Sequence, residues 1–187
     1  MAWKEQHKHN TRQKILRSAA KLFTKQGFDH VGINDVMKDA GLTRGAFYAH
    51  FNSKSELYAE AIIAAAIQTG DKLNPDNPEA PSLDQLVQFY LSMEHRQGEH
   101  FRCPLAFLAT DITQRDEQVR DAYTLVFKGF LKHLTAHLQR RNGDLDRTRS
   151  MQVAVMMIGG LAISRAVNDE ELAKNLLISC HQNLLDH

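Results

Sequence analysis

Apolar residues recur three and four positions apart along most of the chain, which is the spacing of one face of an α-helix. Glycines, prolines and capping residues mark where such segments end. The pattern predicts an all-α protein with a loose polar arm over residues 1–9 and a loop over residues 74–81. The predicted helical segments are residues 11–26, 33–40, a short helix within 42–54, 53–73, 82–97, 105–113, 117–141, 146–168 and 170–185.

The two helices around Gly41 have the layout of a helix-turn-helix. Gly41 can take the positive φ of a helix end. Phe47 and Phe51 lie four apart, so they share the face that we expect to pack inward. Gly45, on the other side, would let the backbone approach the floor of a DNA groove. An ordinary helical hairpin is the alternative, but the aromatic pair, the small outward residues and the basic flanks favour DNA binding.

Several short segments strongly resemble the TetR family of bacterial one-component repressors. These segments are residues 26–36, 40–42, 44–51 and 53–57. The motif-level resemblance covers roughly residues 10–58, and the remainder is similar only in helical layout and length. Gly32 departs from the family pattern, which often has Ser or Thr there, although Gly is a tolerable N-cap.

Charge is distributed unevenly along the chain. Residues 1–54 hold ten Lys or Arg against four Asp or Glu, whereas residues 55–187 hold thirteen against eighteen. A basic head of net +6 on a body of net −5 suits a polyanion-binding module, although chance variation on solvated faces would also explain it. The resemblance implies the same division, with a DNA-binding domain of residues 1–54 and an effector-binding and dimerisation domain of residues 55–187.

Seven residues are predicted to contact DNA: Thr43, Arg44, Gly45, Tyr48, His50, Lys54 and Arg12. Thr43 and Arg44 lie at a helix start, where backbone N–H groups favour phosphate. Arg44 is expected either to read a guanine edge or to contact phosphate. Tyr48, His50 and Lys54 are expected to contact the DNA backbone and position the protein on it.

The apolar run over residues 153–163 is apolar on every side of its helix, so we expect it to be buried on every side. The resemblance implies that the last two helices pair with those of a second copy in a four-helix bundle. The central core of a monomer is the alternative. The predicted interface residues are Met151, Val155, Gly159, Gly160, Leu176, Leu177, Cys180 and Leu184. A two-fold dimer would read two half-sites, which predicts a palindromic operator on double-stranded DNA.

An effector site is expected among the helices of residues 55–187. The candidates are Phe89, Tyr90, Met93, Phe107, Phe127 and Met156. These side chains can equally form core, but their Met- and Phe-rich character hints at an apolar or aromatic small molecule. The chain carries no G-x-S-x-G, P-loop, G-x-G-x-x-G or H-E-x-x-H motif, so we expect neither an enzyme nor a cofactor.

Cys103 is the basis of an alternative hypothesis, in which the protein senses oxidants or electrophiles. It precedes Pro104 at a predicted helix start, and neighbouring His100 and Arg102 are expected to lower the pKa of its thiol. A redox- or electrophile-responsive repressor sensing through Cys103 therefore stays open beside a small buried cysteine.

His133 and His137 lie four apart on a predicted helix and form a possible metal pair. They leave open a protein of another class, a helical ligand- or metal-binding protein that does not bind DNA. The pattern predicts no complete metal site.

The two cysteines are far apart without metal-ligand spacing, which indicates a reducing, cytoplasmic location. The first residues lack the apolar segment of a signal peptide. No apolar run approaches the roughly 20 residues that span a bilayer, so no membrane partner is expected. The sequence therefore predicts a homodimeric transcriptional regulator, most simply a repressor that leaves its operator when a small molecule binds.

Overall fold

The computed structural model describes residues 2–98, 102–143 and 146–185, apart from the side chains of residues 2–4, 68, 69, 71–73, 142 and 185. Every regular element in these ranges is a helix, which confirms the all-α prediction. None of the helices in this part of the chain is both long and apolar enough to cross a membrane. The helices are α1 (Ala2–Gln26), α2 (Ile33–Asp39), α3 (Arg44–Tyr48), α4 (Lys54–Leu73), α5 (Leu83–Tyr90), α6 (Met93–Gln97), α7 (Pro104–Phe107), α8 (Ala109–Ile112), α9 (Glu117–Asn142), α10 (Arg147–Ala166) and α11 (Glu170–Leu185).

One predicted helix start and two predicted single helices were wrong. Helix α1 already begins at Ala2, so residues 2–9 are helical rather than a loose arm. The single helix predicted over residues 82–97 is two helices, because Ser92 accepts a hydrogen bond from the His95 N–H and caps α6 as a new helix. The single helix predicted over residues 105–113 is divided at Leu108 into α7 and α8.

The chain forms two compact units, and α4 and α9 contribute to both. One unit contains Met1–Ile67 and Leu108–Val126, and the other contains Gln68–Phe107 and Phe127–His187. Leu57 and Tyr58 at the start of α4 are fully buried in the core of the first unit.

An aromatic core holds the helix-turn-helix of the first unit. Phe47 and Phe51 are buried with their ring centroids 5.8 Å apart, which confirms their inward placement. Phe23 of α1 meets Tyr58 of α4 edge-on at 4.6 Å. Gly41 has φ +68° between α2 and α3, as expected of the residue that turns the chain. The buried rings therefore fix which side of α3 faces outward.

The second unit is built around the packing of α10 against α11. A Cβ at Gly160 would lie 2.8 Å from Cys180 Sγ, so glycine permits this close approach between the two helices. Val155 and Ile163 are 59% and 56% exposed. The expectation that residues 153–163 are buried on every side is therefore wrong for the single chain, because only one face of α10 packs inside the unit.

Candidate nucleic-acid interface and effector site

The outward side of α3 gathers four of the predicted DNA-contact residues. Thr43, at the N-cap of α3, is exposed and its side chain makes no capping hydrogen bond. Arg44 and Gly45 are exposed, and Tyr48 is 60% exposed. An Arg44 guanidinium nitrogen donates to the Tyr48 hydroxyl at 3.5 Å. Because buried Phe47 anchors the opposite face, α3 presents a short polar ridge beside the small surface of Gly45.

His50 and Lys54 are less exposed than Arg44 and Gly45. His50 is half-buried, and burial followed by the like charges of Lys8 and Arg12 lowers its pKa below the ordinary value, which favours a neutral ring near pH 7. Lys54 Nζ lies 4.1 Å from the centroid of the Phe28 ring, and burial lowers the pKa of this ammonium group.

Arg12 is engaged within the first unit. Its guanidinium forms an ion pair with Glu60 of α4 and lies 4.8 Å from the centroid of the Phe51 ring. The Arg12 side chain of α1 therefore reaches α4, and Glu60 compensates part of its charge.

A charged network that the sequence did not reveal joins the loop after α1 to α4, to α8 and to the loop between α8 and α9. Arg115 donates to both carboxylate oxygens of Asp29, at 3.0 and 2.7 Å, and to Asp111 at 2.9 Å. Tyr58 donates its hydroxyl to Asp111 at 2.6 Å. These hydrogen bonds hold the pKa of Asp29 below its usual value, while burial and Asp111 raise that of Tyr58. The i, i+4 spacing of Asp111 and Arg115 was the one signal in the sequence, since their other partners are remote along the chain.

In the second unit, His95 forms the centre of an aromatic cluster. Its ring stacks with Phe89 at 5.5 Å and with Phe107 at 6.0 Å, and meets Tyr90 edge-on at 4.8 Å. The Tyr90 carbonyl lies 2.9 Å from His95 Nδ1. Burial lowers the pKa of His95 to about 4, so the ring is neutral at pH 7. Three of the six predicted effector-site residues are thus brought together by a histidine that the sequence did not single out.

The remaining candidates are placed differently. Phe89 is 46% exposed, although we expected it to face the interior. Met93, Phe127 and Met156 are half-buried, and no ring contact within the described part of the chain joins Phe127 to the cluster.

Cys103 does not have the expected electrostatic surroundings. It is buried and accepts a hydrogen bond from the Tyr90 hydroxyl, with the oxygen 3.3 Å from Sγ. Burial raises the pKa of its thiol, so the expected lowering by positive neighbours is wrong. His100, one of those neighbours, lies outside the described residues.

Arg165 contacts the aromatic cluster, and Arg96 and Arg102 are close enough to interact with Arg165 electrostatically. The guanidinium carbon of Arg165 lies 3.4 Å from the centroid of the Phe107 ring. Arg96 donates to the carbonyl oxygens of Ser164 and Val167, at 2.8 and 3.2 Å, at the end of α10. Burial and the like charges of Arg102 and Arg96 lower the pKa of Arg165. Arg102 was noted in the sequence only as a neighbour of Cys103, and its proximity to Arg96 and Arg165 was not predictable because the three arginines come from separate helices and loops.

The residues predicted to form the dimer interface differ in how exposed they are within one protomer. Gly160, Leu177 and Leu184 are buried within the protomer. Leu176 and Cys180 are half-buried. The outward face of α10 instead presents a four-residue spacing of apolar or small positions, namely Met151, Val155, Gly159 and Ile163. Among the described residues, no group of three His, Cys, Asp or Glu side chains is arranged to hold a metal ion.

The buried aromatic anchor, the Gly41 turn and the exposed outer side of α3 define a helix-turn-helix DNA-binding protein. Comparison with known proteins agrees. The sequence profile described as "Bacterial regulatory proteins, tetR family" matches residues 15–61. The chain is 33% identical over 167 residues to the HTH-type transcriptional regulator TtgR of Pseudomonas putida, which covers 81% of this chain and 78% of that protein. The protein therefore belongs to the TetR family of transcriptional regulators, which are not enzymes.

More distant similarities extend over nearly the whole chain. The HTH-type transcriptional regulator LmrA of Bacillus subtilis is 25% identical over 165 residues, covering 83% of this chain and 86% of that protein. The crystal structure of E. coli NemR in its reduced form superposes with a TM-score of 0.78 over 95% of this chain and 96% of that chain. Its sequence identity is 16%, so this similarity concerns the fold alone.

Proposed function

We propose that the protein is a homodimeric repressor that binds a palindromic operator in the cytoplasm and releases it when a small molecule binds the second unit. The observation that carries the proposal is the outer side of α3, where Thr43, Arg44 and Tyr48 are exposed while Phe47 is buried. One such short helix reads few base pairs, so two heads on a two-fold axis supply the length of a specific site.

The outward apolar positions of α10 support the dimer. Val155 and Ile163 lie eight residues apart on the same side of the helix, and both are more than half exposed in the single chain. Covering apolar surface of this kind with a second copy removes it from water, which stabilises the dimer. Pairing through α10 and α11 would set the distance between the two DNA-reading helices.

Release follows from linkage between two binding sites. An effector that binds better to a conformation with the wrong spacing of the heads weakens operator binding, and the operator weakens effector binding by the same factor. Helix α4 is the mechanical element for this coupling, because it begins directly after the helix-turn-helix and its residues contribute to both units.

The proposal is tested by sequencing the genomic fragments that the purified protein retains at moderate salt. We expect enrichment of one palindrome. If the dimer neutralises about eight phosphates, log affinity should fall with log salt with a slope near −7. A slope near zero, or no enriched sequence after removal of any co-purified ligand, would refute the proposal.

Two variants separate base reading from general charge. Arg44→Ala should lose about 1–3 kcal/mol of binding free energy to the enriched site and relax preference at one base pair per half-site. Lys25→Ala removes an exposed charge at the far end of α1 and serves as the control. Equal losses in the two variants would mean that Arg44 contributes charge only.

A further inference from the structure

We propose that the effector is an aromatic carboxylate, whose carboxylate is bound by Arg165 and Arg102 and whose ring packs against the exposed part of Phe107. The proposal rests on the ligand-regulated function proposed above and names the chemical class of the ligand.

Arg165 is held ready to bind an oxyanion. Its guanidinium carbon lies 3.4 Å from the Phe107 ring centroid, so the ring supports the side chain from one direction. A guanidinium stacked in this way keeps the N–H groups of its edge for other partners, and that planar edge matches a carboxylate through two parallel hydrogen bonds. No ion pair of Arg165 or Arg102 occurs among the residues whose structure is described.

No carboxylate in the described part of the chain forms an ion pair with Arg165 or Arg102. Arg165 and Arg102 are half-buried, and the pKa of Arg165 is lowered by its burial and by the charges of Arg102 and Arg96. Like charges brought together in a partly desolvated place are unfavourable unless an anion joins them. A bound carboxylate would supply the missing negative charge.

Arg96 has a different role from its two neighbours. Two of its guanidinium nitrogens donate to the Ser164 and Val167 carbonyls, where the C-terminal end of α10 carries a partial negative charge. Arg96 is therefore partly compensated, which leaves Arg165 and Arg102 as the ligand-binding pair.

Phe107 connects the arginines with the aromatic cluster. A Cβ at Gly98 would lie 2.7 Å from Phe107 Cε1 and 2.9 Å from Arg102 Cγ, so the Phe107 ring and the Arg102 side chain are neighbours at the end of α6. His95 stacks with Phe107 and is 2% exposed, so the half-buried Phe107 ring is the accessible aromatic surface beside the arginines. Charge and aromatic surface thus lie side by side, which is the arrangement that a ring bearing a carboxylate requires.

The test uses the full chain and matched pairs of probes. Thermal unfolding is followed with benzoate, salicylate, cinnamate and 1-naphthoate, each compared with its amide, which keeps the ring but removes the charge. Acetate keeps the charge but lacks the ring. We expect at least one carboxylate to raise the Tm more than its amide and more than acetate does, with an affinity that falls about tenfold or more in Arg165→Gln.

Two further variants complete the design. Arg102→Gln should also weaken the carboxylate and leave binding of the amide unchanged. Arg147→Gln removes an exposed arginine at the other end of α10 and should bind like the wild type. Equal shifts with acid and amide, an undiminished response in Arg165→Gln, or no response to any carboxylate would overturn the proposal.

Operator binding distinguishes this failure from failure of the proposed function. If the wild type retains the palindrome but prefers no carboxylate, only the ligand class is wrong. If it retains no DNA, the regulatory function itself is refuted.

Discussion

His95 illustrates how burial decides the chemistry of a single residue. Nothing near it in the sequence marks it as special among ten histidines. In the structure its side chain is 2% exposed, and it is enclosed by the rings of Phe89, Tyr90 and Phe107. Its pKa therefore falls to about 4, far below the ordinary value near 6.5.

We predict that His95 makes the second unit sensitive to acid. Because the folded pKa lies below the unfolded one, the unfolded chain takes up the proton first, and stability present above pH 6.5 is lost as the pH falls toward 4. The shift corresponds to about 3 kcal/mol over that interval. His95→Gln should reduce this dependence when unfolding free energies are measured at successive pH values. His9→Gln, at an exposed histidine of α1, should keep it, and parallel curves for His95→Gln and wild type would contradict the prediction.

Gly45 is a residue at which folding and DNA binding should separate. A Cβ placed there meets only Thr43 Oγ1, at 4.0 Å, so the free protein has room for a side chain. Gly45→Leu should fold with unchanged or slightly higher stability, since Leu favours helix over Gly by somewhat under ~1 kcal/mol. Its operator affinity, measured by fluorescence anisotropy, should fall at least tenfold because the leucine would occupy the groove. Gly129→Leu, at another open helical glycine, is the control, and normal affinity of Gly45→Leu would place α3 farther from the DNA.

At the scale of elements, the short helix α8 is tied to its neighbours by polar contacts as well as by packing. Asp111 accepts hydrogen bonds from Tyr58 of α4 and from Arg115, while Arg115 also binds Asp29 in the loop after α1. Asp111 and Arg115 are only 19% and 12% exposed. The network therefore fixes α4 at the place where it leaves the helix-turn-helix.

Removing the hydrogen bonds to Asp111 should destabilise the fold. Asp111→Ala leaves the Tyr58 hydroxyl and part of Arg115 without an acceptor, which should lower the unfolding free energy by roughly 2–3 kcal/mol in chemical denaturation. Asp76→Ala breaks an exposed ion pair with Arg140 and should lose less than about 1 kcal/mol. Similar losses in the two variants would mean that the network contributes little to the position of α8.

At the scale of the whole molecule, one face of α10 is left uncovered. Met151, Val155 and Ile163 are 45%, 59% and 56% exposed, although Val155 and Ile163 belong to the apolar run over residues 153–163. A soluble monomer gains nothing from such a stripe, whereas a two-fold pair covers it on both copies at once.

We predict that Val155→Glu separates the subunits. Placing a carboxylate in the apolar stripe would bury an unpaired charge in the dimer, so sedimentation should find monomers. Operator affinity should then fall, and its salt slope should decrease to roughly half, because one head contacts half the phosphates. Gln139→Glu adds the same charge at an exposed site on α9 and should remain dimeric. A dimeric Val155→Glu protein would exclude this face as the interface.

Local patterns were sufficient for much of this architecture. The spacing of Phe47 and Phe51, the turn at Gly41 and the basic head predicted the helix-turn-helix, because helix periodicity and turn geometry depend on residues a few positions apart. The same patterns were less reliable at Ser92 and Leu108, where helices end within apolar segments and nearby capping or packing overrides periodicity.

Contacts between remote residues were decided only by the tertiary structure. The link between Asp29 and Arg115, the packing of Arg165 on Phe107 and the low pKa of His95 depend on which helices meet and how far each group is removed from water. Cys103 is a second example, because burial raises the pKa of its thiol although its neighbours in the sequence predicted a low pKa. The sequence by itself determined the helices, their amphipathic faces and the DNA-reading motif, whereas folding in three dimensions determined the electrostatic environment of each site, because desolvation and charge pairing depend on distance in space.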